Sequence, residues 1–311
     1  MLYREFGCDA VLCRRGTFNQ HGHATLHSAC RPCPAILDLD DDDDDKYLSN
    51  VLGRTKCDGL ETINGDVNGD GILSPREVVR LIYVDTLGRF WGPTYQSWAD
   101  TKIDECDLSG ITCVNGEIAR IDLSNALMCS NGDRAPGPIP YCLGLPNEIG
   151  TLTTLEVFQL KTQPYLRGTI PTEIGHLKGL RLLDISSCTS MTGTLPSEIG
   201  KLTKLKRLIL SHSGFRGSIP SEIMSLSGLE NLHLTNNQFY GTIPTIRKLK
   251  SIKEFMIARN DFSGTIPSKI GYLTNLENFE AYHNQFTGSL PKQLALPNLK
   301  RIGTKCMFFS V

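Results

Sequence analysis

Residues 66–77 read Asp-Val-Asn-Gly-Asp-Gly-Ile-Leu-Ser-Pro-Arg-Glu, a spacing that can wrap a hard cation in oxygen. Asp66, Asn68 and Asp70 alternate, so three short side chains converge on one point, and Gly71 follows where the chain must turn sharply. The carbonyl of Ile72, Ser74 through a water, and a bidentate Glu77 would complete the set. Ca²⁺ takes about six to eight oxygen ligands, and this pattern meets every side-chain requirement of a twelve-residue loop. The same residues have a second reading. Ser74-Pro75-Arg76-Glu77 is a capping box, with serine at the N-cap, proline at the first helical position and glutamate two residues on. The preceding Asp/Asn/Gly stretch would then be only a turn. The two readings are compatible, because the helix leaving such a loop starts inside it. That helix is expected from Pro75 to about Thr86, with Val78, Val79, Leu81, Ile82 and Tyr83 available for burial.

A second cluster lies near the start of the chain: Cys8, Cys13, His21, His23, His27, Cys30 and Cys33. Cys8, Cys13, Cys30 and Cys33 could hold zinc, but their spacing matches no finger, and thiols in a disordered tail are the alternative reading. Asp40–Asp45 is an unbroken acidic run whose self-repulsion argues for a solvated linker. Residues 1–50 are therefore expected to be a disordered tail, followed by the loop and its helix at 51–86. No Gly-x-Gly-x-x-Gly, Walker, Gly-x-Ser-x-Gly or His-Glu-x-x-His pattern occurs, so the expected function is not enzymatic.

A repeat positions everything after residue 118. LEVFQL begins at Leu155, and its counterparts begin at Leu180, Leu205, Leu229, Ile252, Leu276 and Leu299. The spacings are 25, 25, 24, 23, 24 and 23 residues, and Gly-x-Ile/Leu-Pro keeps the same beat from Gly168 to Gly288. An irregular first unit starts at Ile118, and its excess length includes Cys129 and Cys142, which could close a loop. Leu-x-x-Leu-x-Leu suits a short strand with one apolar face. One strand cannot bury its leucines alone, whereas stacked copies pair their backbones and cover each other. Asn237, Asn260 and Asn284, with Cys188 in one unit, stand where the chain leaves the strand and can bond its backbone.

These repeats resemble the plant-type leucine-rich repeats of receptor ectodomains and receptor-like proteins, and residues 66–77 resemble an EF-hand loop. The segment before Ile118 resembles that family's N-terminal cap, carried by Trp91, Trp98 and the pair Cys106/Cys113. The family often has tryptophan where this chain has Leu108. The resemblance implies a Cys106–Cys113 disulfide, hence an oxidising, extracellular or cell-surface setting. It implies an α/β solenoid: parallel strands on the concave face, short helical or 3₁₀ turns on the convex side, and a small helical cap over residues 78–117 before the repeats of 118–311.

The concave face is the expected binding surface for a protein or peptide. Its candidates are Asp184, Arg207, His212, His233, Asn236, Met256, Arg259, Glu280, Tyr282 and His283, a mixed basic, aromatic and hydrogen-bonding set. The resemblance implies two further readings, and charge bears on the first. Residues 1–151 carry 13 Lys/Arg against 23 Asp/Glu, and residues 152–311 carry 19 against 10, although the net charge is only −1. A basic solenoid could bind an acidic polysaccharide through Lys161, Arg207 and Arg259, as an enzyme inhibitor or cell-wall protein; the chain could also be a piece of a receptor-kinase ectodomain. No nucleic-acid partner is expected, and a monomer is. No stretch reaches the ~18 apolar residues of a membrane span, the first residues lack the apolar core of a signal peptide, and the apolar ending lacks the polar terminal repeat a solenoid needs, so a fragment is the expectation.

Overall fold

In the computed structural model, residues 17–18, 31–32, 73–86, 91–99, 102–126, 128 and 144–304 are described. Asp66, Asn68, Asp70, Ile72, the cysteines Cys8, Cys13, Cys30 and Cys33, and the pair Cys129/Cys142 lie outside them. The chain divides into two compact units, Met1–Asp85 and Thr86–Val311. Among the described residues no helix is long and apolar enough to cross a membrane.

The first unit contains a two-residue antiparallel pair, Thr17–Phe18 with Arg31–Pro32, within the stretch expected to be a disordered tail. Its helix, Pro75–Asp85, starts where the capping-box reading places it. The Ser74 N–H and Oγ–H each donate to Glu77 Oε2 at 2.7 Å, and the Glu77 N–H donates back to Ser74 Oγ at 3.3 Å. Two orphan donors of the first turn are thereby satisfied reciprocally. Val78, Val79, Leu81 and Ile82 are all buried.

The second unit opens with two 3₁₀ segments, Pro93–Ala99 and Glu105–Asp107, followed by a hairpin, Ile111–Val114 against Glu117–Asp122. Asn115 and Gly116 both have positive φ, as a two-residue hairpin turn of matching twist requires. Cys106 and Cys113 form the disulfide that the resemblance implied. Trp91 and Trp98 are buried with ring centroids 5.1 Å apart, and their indole N–H groups donate to the Thr86 and Ser109 carbonyls. Leu108 is buried as well, so leucine fills the site where relatives often carry tryptophan.

Glu117–Asp122 then seeds a parallel stack: Val157–Gln159, Leu182–Asp184, Arg207–Ile209, Asn231–His233, Glu254–Met256, Asn278–Glu280 and Arg301–Gly303. The middle residues, Phe158 through Phe279, are completely buried, as the one-face-inward pattern demands. A second parallel sheet follows the turns, Thr192–Gly193 to Gln285–Phe286, and stacks Phe239, Phe262 and Phe286 at 6.2 Å between centroids. The Pro-x-x-Ile segments form 3₁₀ turns on the opposite side.

Two ladders govern how the chain leaves each strand. Asn260 Nδ2 donates to Leu234 O and Ile257 O while its Oδ1 accepts from the Phe239 N–H, and Asn237 and Asn284 repeat the arrangement. Cys188 Sγ reaches Leu160 O at 3.0 Å, and burial pushes its thiol up to about 12, so it is a protonated donor at neutral pH. Gln163 and Ser213 take the same place in their units, on the Leu123 and Ile185 carbonyls. One residue earlier, Asn125, Thr162, Ser187, His212, Asn236, Arg259 and His283 all adopt positive φ, between 52° and 60°. Left-handed backbone turns the strand out of the sheet and lets the N–H groups from Asn125 to Arg259 in this series donate to the next unit.

That conformation costs a β-branched residue most. Thr162→Asn, which copies Asn125 and Asn236, is therefore expected to raise stability by about 0.5–1 kcal/mol. An unchanged or lowered urea midpoint would refute the strain argument.

Candidate functional site

Alternate strand residues face outward in columns set by the parallel register. One column runs Arg207, Asn231, Glu254, Asn278; the next runs Asp184, Ile209, His233, Met256, Glu280. The left-handed residues form the border of this face.

Sequence candidates fall into three groups on it. Asp184 is only 2% exposed; its carboxylate accepts from the Ser186 N–H and Oγ–H and lies 3.4 Å from Lys161 Nζ. It holds its own turn rather than facing a partner, because a short carboxylate two residues before a serine closes locally. Lys161 is thus paired with Asp184, whereas Arg207 and Arg259 stand exposed on the face. His233, Met256, Glu280 and Tyr282 are half-buried on the strands. Arg207, His212, Asn236, Arg259 and His283 are exposed, and the last four project from the border. Arg259 lies over the Tyr282 ring at 6.0 Å, and Tyr282 meets His283 edge-on at 5.4 Å, so these three form one patch.

The centre of the face is a cluster that spacing alone did not single out. Glu254 Oε2 accepts from Asn231 Nδ2 and contacts His233 Nε2, both at 2.7 Å, and Oε1 accepts from Asn278 Nδ2 at 3.0 Å. Burial pushes the Glu254 carboxyl up, but bonds from Asn231, His233 and Asn278 outweigh it and hold it below the usual value. The depressed value means that the cluster is intact at neutral pH and loosens as pH falls through the folded pKa. Nearer the cap, Arg120 binds Asp122 and Gln159, and Asp122 is likewise lowered because hydrogen bonds from Ser124 and Arg120 outweigh its burial. The signal for the first cluster was an Asn/Glu/Asn series at one repeat position, and for the second Gln159 in register with Asp122, both legible only once register is known.

The family described as "Leucine-rich repeat region" matches residues 147–310, more than half of the chain. This chain belongs to the leucine-rich repeat family. No curated protein matches it. Among solved structures, it is similar to the plant peptide hormone receptor RGFR1 in complex with RGF2, at 34% identity and TM-score 0.50, covering 52% of this chain and 26% of that one. It is similar to PEPR1 in the PEPR1-AtPEP1 complex at 28% identity and TM-score 0.57, covering 72% and 31%. A plant ice-binding protein shares the fold at 24% identity and TM-score 0.62, covering 75% and 71%. This leucine-rich repeat chain thus spans about a quarter to a third of the length of the first two of these chains.

Proposed function

We propose that this leucine-rich repeat protein is a non-catalytic recognition module that binds a peptide or protein segment on its concave face, in an extracellular or cell-surface setting. The observation that carries the reading is the border column. Left-handed backbone aims its Cα–Cβ bonds, so His212, Asn236, Arg259 and His283 leave the chain at fixed, repeat-spaced positions and their backbone needs no further ordering. Beside them, Arg259, Tyr282 and His283 form an aromatic and cationic patch of the kind that anchors protein contacts. The plant peptide hormone receptor named above, 34% identical, is in complex with RGF2, and that supports the same reading here.

The test is selection of a random-peptide display library on the full chain, then calorimetry of the enriched peptide. Arg259→Ala or Tyr282→Ala should weaken it by about tenfold or more, the loss of one buried anchor. Binding that neither substitution changes would overturn the assignment, as would failure to enrich any peptide.

A structural calcium site at Asp66, Asn68, Asp70, Ile72, Ser74 and Glu77 is proposed alongside. Its support is the reciprocal bonding of Ser74 and Glu77, which brings the last two side-chain ligands of the loop together at a helix start.

A further inference from the structure

One repeat departs from the others on the convex side, and the departure opens a groove. Six units read Ile/Leu-Pro-x-x-Ile/Leu across this turn, at Leu145, Ile170, Leu195, Ile219, Ile266 and Leu290. The seventh, Ile243-Pro244-Thr245-Ile246, is one residue shorter and forms no 3₁₀ turn, whereas the others do. In the regular units a glycine lies tight against the next unit: a Cβ on Gly150, Gly175 or Gly200 would come within 2.4–2.8 Å of the Cβ of Glu173, Glu198 or Glu222. The short unit has no such residue. Accordingly Met224 replaces glycine in the preceding unit and is buried there.

The interruption leaves a pocket of about 440 Å³ lined by Arg247, Lys250, Tyr272, Thr274 and Asn275. Its chemistry is one-sided, with two cations, one aromatic ring, two neutral hydrogen-bonding side chains and no acid. Lys206, Lys253 and Lys300 nearby along the solenoid are paired with Glu230 or Glu277. Arg247 and Lys250 have no carboxylate partner among the described residues; Arg247 instead lies over the Tyr272 ring at 5.4 Å. Tyr272 is 56% exposed, and Asn275 is fixed by donating to Lys250 O at 2.8 Å. The volume suits a ligand of one or two sugar rings.

We propose that this convex groove binds an acidic saccharide. Arg247 and Lys250 hold its anionic group, Tyr272 supports a ring face, and Thr274 and Asn275 meet hydroxyls. The site is separate from the concave face and independent of the peptide reading. Carboxylate and sulfate ester share the required chemistry.

The experiment is calorimetric titration of the full chain with a uronate-containing disaccharide, a sulfated disaccharide and an uncharged disaccharide. One or both anionic sugars should bind and the uncharged one should not; whichever binds identifies the anion. Arg247→Ala and Lys250→Ala should each weaken binding by about tenfold, the loss of one charge-assisted bond. Lys292→Ala, an exposed lysine outside the groove, should leave it unchanged. Inserting one glutamate between Thr245 and Ile246 restores the regular turn and should abolish binding while peptide binding on the concave face persists. No binding of either anionic sugar overturns the proposal. So does equal weakening by Lys292→Ala, or full binding by the insertion variant with native circular dichroism.

Discussion

Asn260→Ala is expected to lower the unfolding free energy by about 3 kcal/mol, several times the effect of an ordinary surface substitution. The Asn260 side chain is 7% exposed and engaged at both ends: Nδ2 donates to Leu234 O, Ile257 O and Ala258 O at 2.9–3.2 Å, and Oδ1 accepts from the Phe239 N–H at 3.0 Å. Truncation therefore strands the Phe239 N–H in the interior, leaves the Leu234 and Ile257 carbonyls with only the Asn237 and Asn284 amides, and empties the space the side chain filled. Each stranded group costs about 1–3 kcal/mol, and water has no access with which to replace the amide. The bonds cross between units, so the loss falls on the nearest-neighbour coupling that stabilises a solenoid. Asn298→Ala is the control: that exposed amide bonds one carbonyl, Thr274 O, and its removal should cost under about 0.5 kcal/mol. Urea unfolding followed by circular dichroism reads both. Equal midpoints for the two variants would show that the asparagine ladder is ornamental.

The same ladder shows what was legible in the sequence. Strand positions followed from Leu-x-x-Leu-x-Leu because one residue in two must be buried, and Phe158, Leu183, Leu208, Leu232, Phe255 and Phe279 are. The roles of Asn237, Asn260 and Asn284 followed from amide chemistry at a chain exit, and Cys188 from its place in the series. Gln163 and Ser213 were hidden because each reaches the same carbonyl ladder with a different side chain. Asp184 has the right parity for the concave face, yet parity does not say whether a carboxylate turns back to its own serine. The Glu254 cluster needed cross-strand register, since Asn231, His233 and Asn278 lie 23, 21 and 24 residues away. The convex groove was not legible from repeat length: the step from Leu229 to Ile252 is 23 residues, but so is the step from Leu276 to Leu299, which keeps the full turn. The shortened Ile243-Pro244-Thr245-Ile246 differs from its counterparts, and only the fold shows which face it lies on and that Arg247 and Tyr272 come together there.

The second large effect is expected at the start of the helix. If residues 66–77 hold calcium, adding the ion at a hundredfold over its dissociation constant stabilises the folded chain by about 2.7 kcal/mol, a rise of roughly 5 °C in melting temperature that a chelator reverses. Glu77→Ala alone cannot establish this. Its carboxylate already serves the capping box, so the variant should lose about 1 kcal/mol with or without calcium. Glu77→Gln separates the two roles. A glutamine carbonyl still accepts from the Ser74 N–H and Oγ–H, so the cap survives, but a neutral amide cannot bind the ion through two oxygens. Asp70→Ala removes a loop ligand without touching the cap. The expected pattern is therefore a calcium-dependent shift in the wild type, its loss in Glu77→Gln and Asp70→Ala, and a drop in the chelated state for Glu77→Ala only. A wild-type melting temperature indifferent to calcium would leave Asp66, Asn68 and Asp70 as a turn and Glu77 as a cap. That outcome is physically sufficient to start the helix, which is why the chelated-state comparison, rather than the loss of stability itself, decides between them.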